Sequence, residues 1–122
     1  MILNPANGIP FYRQIEADLA EKIRLGQLAP GSLLPSARQL AADLLVSVIT
    51  VKQAYDALEE SGMVYSQQGR GTFVAMGAAA AAKAQAIAEF RRPVLNALRL
   101  ARSRGLSAED LRALTLSLLE TP

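Results

Sequence analysis

The sequence predicts an α+β chain, mostly helical, in which three short helices and a β-hairpin are followed by two further helices. Three observations predict it. Apolar residues recur at three- and four-residue spacing in several separate segments. Two β-prone runs, Met63-Val64-Tyr65 and Thr72-Phe73-Val74, flank a turn that carries Gly69 and Gly71. Proline or serine stands at the head of most helical segments, where it supplies a fixed φ or a capping hydroxyl.

The first helix starts after Pro10, with Tyr12, Ile15, Leu19 and Ile23 on one face and Gly26 as its stop. Breakers at Pro30-Gly31 follow, then Leu33-Leu34, short enough for a two- or three-residue strand that Pro35 ends. Ser36 with Gln39 forms a capping box for a brief second helix that buries Leu40, Ala41 and Leu44. After the break Leu44-Leu45-Val46, Ser47 caps a third helix whose inward stripe is Val51, Ala54, Tyr55 and Leu58. Its outward face is then Ile49, Lys52, Gln53 and Asp56, with Val48 at the border. Helix, helix, helix, hairpin is the order of a winged helix-turn-helix; a generic small α+β domain is the alternative.

From Ala75 to Ala86 alanine dominates, as in a linker or the start of a helix, and alanine's propensity favours the helix. The stripe Ala84, Ile87, Phe90, Val94, Leu98, Ala101 continues it to Gly105, while Pro93 predicts a kink or a break near Arg91 and Arg92. Ser107 caps a last helix striped by Leu111, Leu114 and Leu118, widened by Leu116 and Leu119. Two such helices joined at Gly105 form a hairpin too small to hide its own apolar surface. The expected remedy is a homodimer, with Ile87, Phe90, Val94, Leu98, Leu111, Leu114 and Leu118 at its interface. A tail folded back on its own first domain is the alternative. The expected domains are 1–76 and 77–122.

Composition narrows the function. The 122 residues are 51% hydrophobic and 20% charged, as in a folded globular chain. There is no cysteine and no histidine, which removes disulfides, thiolate nucleophiles and the commonest metal ligand and general base. An enzyme is therefore not expected, nor a catalytic site, a metal or a cofactor. The first ten residues lack a basic and apolar leader pattern, and no run is long and apolar enough to span a bilayer, so a cytoplasmic protein with no membrane partner is expected. The net charge of +2 is unevenly spread. Residues 1–76 hold six basic and seven acidic side chains, and the tail holds seven basic and four acidic. Bulk charge does not mark the first domain as a nucleic-acid binder, so the positions of individual side chains must.

Four blocks carry a resemblance to a known family. Ile9-Pro10-Phe11-Tyr12-Arg13-Gln14-Ile15, Gly31-Ser32-Leu33-Leu34-Pro35-Ser36-Ala37-Arg38-Gln39-Leu40-Ala41, Thr50-Val51-Lys52-Gln53-Ala54-Tyr55-Asp56-Ala57-Leu58-Glu59 and Gly69-Arg70-Gly71-Thr72-Phe73-Val74 resemble, in order, the opening domain of GntR-type regulators. The short tail resembles that of the YtrA-type branch, where it serves dimerisation and where the regulated genes often encode membrane transporters. The resemblance implies DNA contacts at Arg38, Ser47, Val48, Ile49, Thr50, Lys52 and the Gly69-Arg70 tip. Gln53, on the outward face, and Gln68, beside the tip, join them.

Physically, the third helix is the one to enter the major groove. Ser47 and Thr50 at its positive end suit phosphate or base hydrogen bonds, and Lys52 suits a phosphate. Many relatives place arginine or another polar residue where this chain has Val48-Ile49, so apolar contact with thymine methyls replaces guanine reading there. Arg38 meets the DNA backbone, or else is a solvated surface arginine or a partner for Asp43. Arg70, between two glycines, suits a narrow minor groove. The resulting reading is a sequence-specific regulator, taken as a repressor, that binds a pseudo-palindromic duplex operator as a homodimer. The residues themselves do not separate repressor from activator. A protein-interaction module without DNA binding is the alternative. A groove between the tail helices or between the domains could take a small-molecule effector, whose identity nothing in the polar content names.

Overall fold

The computed structural model describes residues 1–121. Its elements are α1 (Phe11–Arg24), α2 (Ala37–Leu44), α3 (Val48–Glu60), β1 (Val64–Gln67), β2 (Gly71–Val74), α4 (Ala78–Ser103) and α5 (Ala108–Glu120). The chain divides into two compact units, Met1–Gln85 and the segment from Ala86 onward. Among the described residues no helix is long and apolar enough to cross a membrane.

In the first unit, α1 and α2 both pack on α3, which gives Val51, Ala54, Tyr55 and Leu58 to the core. These are the four inward positions that the spacing predicts. They meet Ile15, Leu19 and Ile23 of α1, Ala41 of α2, Leu34, and Met63, Val64 and Val74 of the hairpin region. β1 and β2 pair antiparallel in the register Val64↔Val74 to Gln67↔Gly71. Leu33 adds a single antiparallel bridge to Phe73, flanked by Leu34 N–H donating to the Thr72 carbonyl at 2.8 Å and Val74 N–H to the Ser32 carbonyl at 2.9 Å. The short strand expected at Leu33-Leu34 is thus one bridge long.

The Tyr55 hydroxyl donates to the Pro35 carbonyl at 2.7 Å, tying α3 to the segment that leads into α2. Burial pushes its pKa from 10.0 up to about 12. The unfolded chain gives up this proton at a pH where the folded chain still holds it, so the associated stability is intact below pH 10 and is lost as pH rises toward 12. Denaturant unfolding followed through that alkaline range should show the decline. Tyr55→Phe should lose about 1 kcal/mol at neutral pH for the missing hydrogen bond and should lack this part of the alkaline decline.

The alanine run is helix, and it belongs to the first unit: Ala78 and Ala82 are buried in its core, which extends that unit through Gln85. Of the kink or break expected at Pro93, the break does not occur, because Pro93 sits inside a continuous α4. Proline's fixed φ is itself helical, and the one carbonyl it leaves without a donor, that of Glu89, belongs to an exposed residue that water can satisfy. Gly105, at φ 96°, makes the turn into α5. Ser107 and Asp110 then form a reciprocal capping box, in which Ser107 N–H donates to the Asp110 carboxylate at 2.9 Å and holds that carboxyl below its ordinary pKa.

Candidate nucleic-acid interface

The helix-turn-helix is built from caps. Ser36 accepts from Gln39 N–H at 3.1 Å and starts α2. Leu45, with φ 58° and ψ 42°, ends it in a left-handed residue, and Val46 N–H returns to the Ala41 carbonyl at 3.0 Å. That reversal is usually a glycine's, and here a leucine takes it with its side chain 91% exposed. One residue later, Ser47 accepts from Thr50 N–H at 3.1 Å and starts α3.

The positive end of α3 therefore stands at the surface. Ile49 is 69% exposed, and Lys52 and Gln53 are exposed beside it. Val48 and Thr50 are half-buried, with Val48 packed against the core, so each offers one edge rather than a whole side chain. The Ser47 and Thr50 hydroxyls lie 2.8 Å apart and bond to each other. Of their two protons one is spent in that bond, leaving one hydroxyl donor for an outside acceptor.

Charge pairing separates the cations of the first 76 residues into two sets. On α1, Arg13 pairs with Glu16 at 3.0 Å, Lys22 with Asp18 at 2.9 Å and Arg24 with Glu21 at 3.6 Å. Arg38, Lys52 and Arg70 have no carboxylate partner among the described residues, and all three are exposed. The alternative pairing of Arg38 with Asp43 does not form. The three unpaired cations lie on α2, on α3 and at the hairpin tip.

Two of them, Lys52 and Arg70, line one concavity of about 420 Å³ together with Ser36, Ala37, Asp56 and Thr72. The N-terminus of α2 is part of its wall. Since the Ser36 cap serves only Gln39, the N–H groups of Ala37 and Arg38 have no acceptor among the described residues. Unpaired helix N–H groups beside two cations make an anion-binding surface, and Asp56 opposes it with a single negative charge. Sequence reasoning named Lys52 and Arg70 but missed this backbone contribution, and it placed Asp56 on the outward face of the third helix without assigning it to the site. The Ser36-Gln39 capping pattern was the available signal for the first; nothing local signals a cavity that joins residues thirty positions apart.

At the tip, Arg70 N–H closes the turn on the Gln67 carbonyl at 2.9 Å, with Gln68 and Gly69 exposed beside it. The glycines have reasons of their own. Gly69 takes φ 78°, and a Cβ on Gly71 would lie 2.7 Å from Leu33 Cδ1. The case for Arg70 accordingly rests on its unpaired charge and its place on the concavity. Tyr65 and Phe73 stack across the strands with centroids 5.5 Å apart, and Ser66 N–H donates to Glu59 at 2.9 Å, fixing the hairpin to α3.

In the second unit, Ile87, Phe90, Val94 and Leu98 are exposed along α4, and Leu114 and Leu118 along α5, with Leu111 half-buried. No residue of α5 is buried. Instead of a closed seam, a groove of about 610 Å³ opens beside Leu98, Ala108, Leu111 and Leu116, with Arg102 and Arg112 on its walls.

Comparison with known proteins agrees with this architecture. The model of the gntR family of bacterial regulatory proteins matches residues 11–74. The transcriptional repressor YtrA of Bacillus subtilis (strain 168) is 36% identical over 76 residues, which are 62% of this chain and 58% of that protein. Among solved structures, YtrA from Sulfolobus acidocaldarius, a GntR-family transcription factor, is 32% identical at a TM-score of 0.59, over 84% of this chain and 93% of that one. AraR(DBD), solved in complex with operator ORX1, is 31% identical at a TM-score of 0.56, over 62% of this chain and 93% of that one. The chain spans less than two thirds of the length of curated relatives such as YtrA, at 58%, and the repressor NagR of Bacillus subtilis (strain 168), at 30%. Because the family match runs from the first residue of α1 to the last of β2, more than half of the sequence, the chain belongs to the gntR family of bacterial regulatory proteins.

Proposed function

We propose that the chain is a sequence-specific transcriptional repressor that binds a pseudo-palindromic duplex operator as a homodimer, with residues 1–76 on the DNA and residues 77–122 joining the copies. One observation carries the reading: among the described residues, the cations of the first 76 positions without a carboxylate partner are Arg38, Lys52 and Arg70, spread over the helix-turn-helix and the hairpin tip. Three free cations spread over these elements suit a polyanion that spans them, whereas the three along α1 are already neutralised. AraR(DBD), a structural relative, is solved with an operator, which supports the same use of the fold. The uncovered stripes of α4 and α5 support the dimer, and the groove beside them is where a small-molecule effector would bind. Genes for membrane transporters, implied by the resemblance, are the expected targets.

Ile49, at the front of α3, favours thymine methyls over guanine edges. Selection from a pool of random duplexes should return two inverted half-sites about one helical turn apart, or a multiple of it, with A·T pairs beneath the start of α3. A pool with no enriched sequence would overturn the regulator reading. Half-sites made only of G·C pairs would overturn the role of Ile49.

A further inference from the structure

The tail is more basic than the first domain, and on α4 the charge is concentrated. The helix carries Lys83, Arg91, Arg92, Arg99 and Arg102 against one carboxylate, Glu89, and none of these is ion-paired among the described residues. At 3.6 residues per turn, Arg91, Arg92, Arg99 and Arg102 fall on one side of the helix, about a third of a turn from the apolar stripe of Ile87, Phe90, Val94 and Leu98. Arg91, Arg92 and Arg99, with Asn96, border a shallow concavity of about 420 Å³ floored by Ala88 and Leu95. Covering the stripe with a second copy leaves most of this face free.

We infer that the arginine face of α4 is a second, sequence-independent contact surface for the phosphate backbone of duplex DNA, an inference that rests on the operator-binding reading above. Its dimensions select the occupant. From Arg91 to Arg102 the helix rises about 16 Å, far longer than a diphosphate and matched by a stretch of duplex that carries one charge per roughly 1.7 Å of axis. Its charge answers a deficit. Residues 1–76 are net negative by one, so the first domain adds no net long-range attraction to the local one of its three free cations. Four guanidiniums per subunit reverse that balance and hold the protein near DNA of any sequence. Asn96 adds a neutral donor for phosphate oxygen.

The test uses the full chain on a random-sequence duplex and on the selected operator, with affinity followed against salt. Replacing Arg91, Arg92 and Arg99 by glutamine should flatten the logarithmic salt slope on random duplex by about 0.9 for each phosphate no longer neutralised, roughly 2.7 per subunit. It should weaken that binding at least tenfold at low salt and leave the preference for operator over random duplex intact. The Arg→Lys triple variant should keep the wild-type slope, and Ala88→Glu, which adds a negative charge to the same face, should reduce it. Arg38→Ala with Arg70→Ala should do the opposite, weakening operator binding while the tail-dependent part of the slope on random duplex persists. A failed operator reading is thereby told apart from a failed tail contact. An unchanged slope in the glutamine variant overturns the inference, as does arginine-dependent binding to vesicles of anionic lipid without any change on DNA.

Discussion

Replacing Arg38 and Arg70 together by alanine is expected to weaken operator binding about a thousandfold while leaving dimerisation and stability unchanged. Both side chains are exposed and without a carboxylate partner among the described residues, so their loss removes no ion pair seen there. The charge-assisted contacts proposed for them, to phosphate or base edges, would exist only in the complex. At about a tenfold contribution for each, discounted for imperfect additivity, four such contacts in a dimer amount to roughly three decades. Titration of labelled operator, with sedimentation and thermal unfolding as controls, measures both halves of this expectation. Duplex affinity unchanged in the double variant would favour the protein-interaction alternative.

A comparable loss is expected from Phe90→Asp combined with Val94→Asp, through a different route. Both side chains are more than half exposed in the single chain, so the substitution removes no packing within it. In a dimer that covers the stripe of α4, the same positions would place four unpaired carboxylates in an apolar seam, which association cannot tolerate. The variant should sediment as a monomer where the wild type is a dimer, with the fold of the first unit retained. Operator affinity should then fall by a factor of about 100 to 10,000, since the second half-site is no longer bound at high effective concentration. A variant that remains dimeric would move the interface elsewhere, the groove lined by Leu111 and Leu116 being the next candidate.

Much of the first unit could be read from local chemistry. Ser36 and Ser47 cap the helices that their spacing assigns to them, and the four-residue stripe of α3 points inward as its periodicity requires. Such features depend on residues within one or two turns of each other, where sequence pattern and structure share a cause. Leu45 shows where that stops: without a glycine to mark it, a left-handed residue is set by the tertiary need to turn α2 into α3. Ala78 and Ala82 carry no periodic signature inside an alanine run, so their burial depends on core surface supplied by distant residues. At Pro93 the helix-forming neighbours and the exposed position outweigh the lost hydrogen bond. Of the candidate site, the exposed side chains were legible as helix-wheel positions. The concavity was not, because Ser36, Lys52 and Arg70 come together only when the hairpin folds beside α3.

Operator recognition by this chain requires the α2 N-terminus, the front of α3 and the hairpin tip to lie against nucleotides. Amide hydrogen exchange of the full chain, with and without operator duplex, tests that placement most directly. Duplex should slow exchange at Ala37 and Arg38, across Val48 to Gln53, and at Gln68 to Arg70, with little change along α1. Unaltered exchange in those three segments at saturating duplex would contradict it.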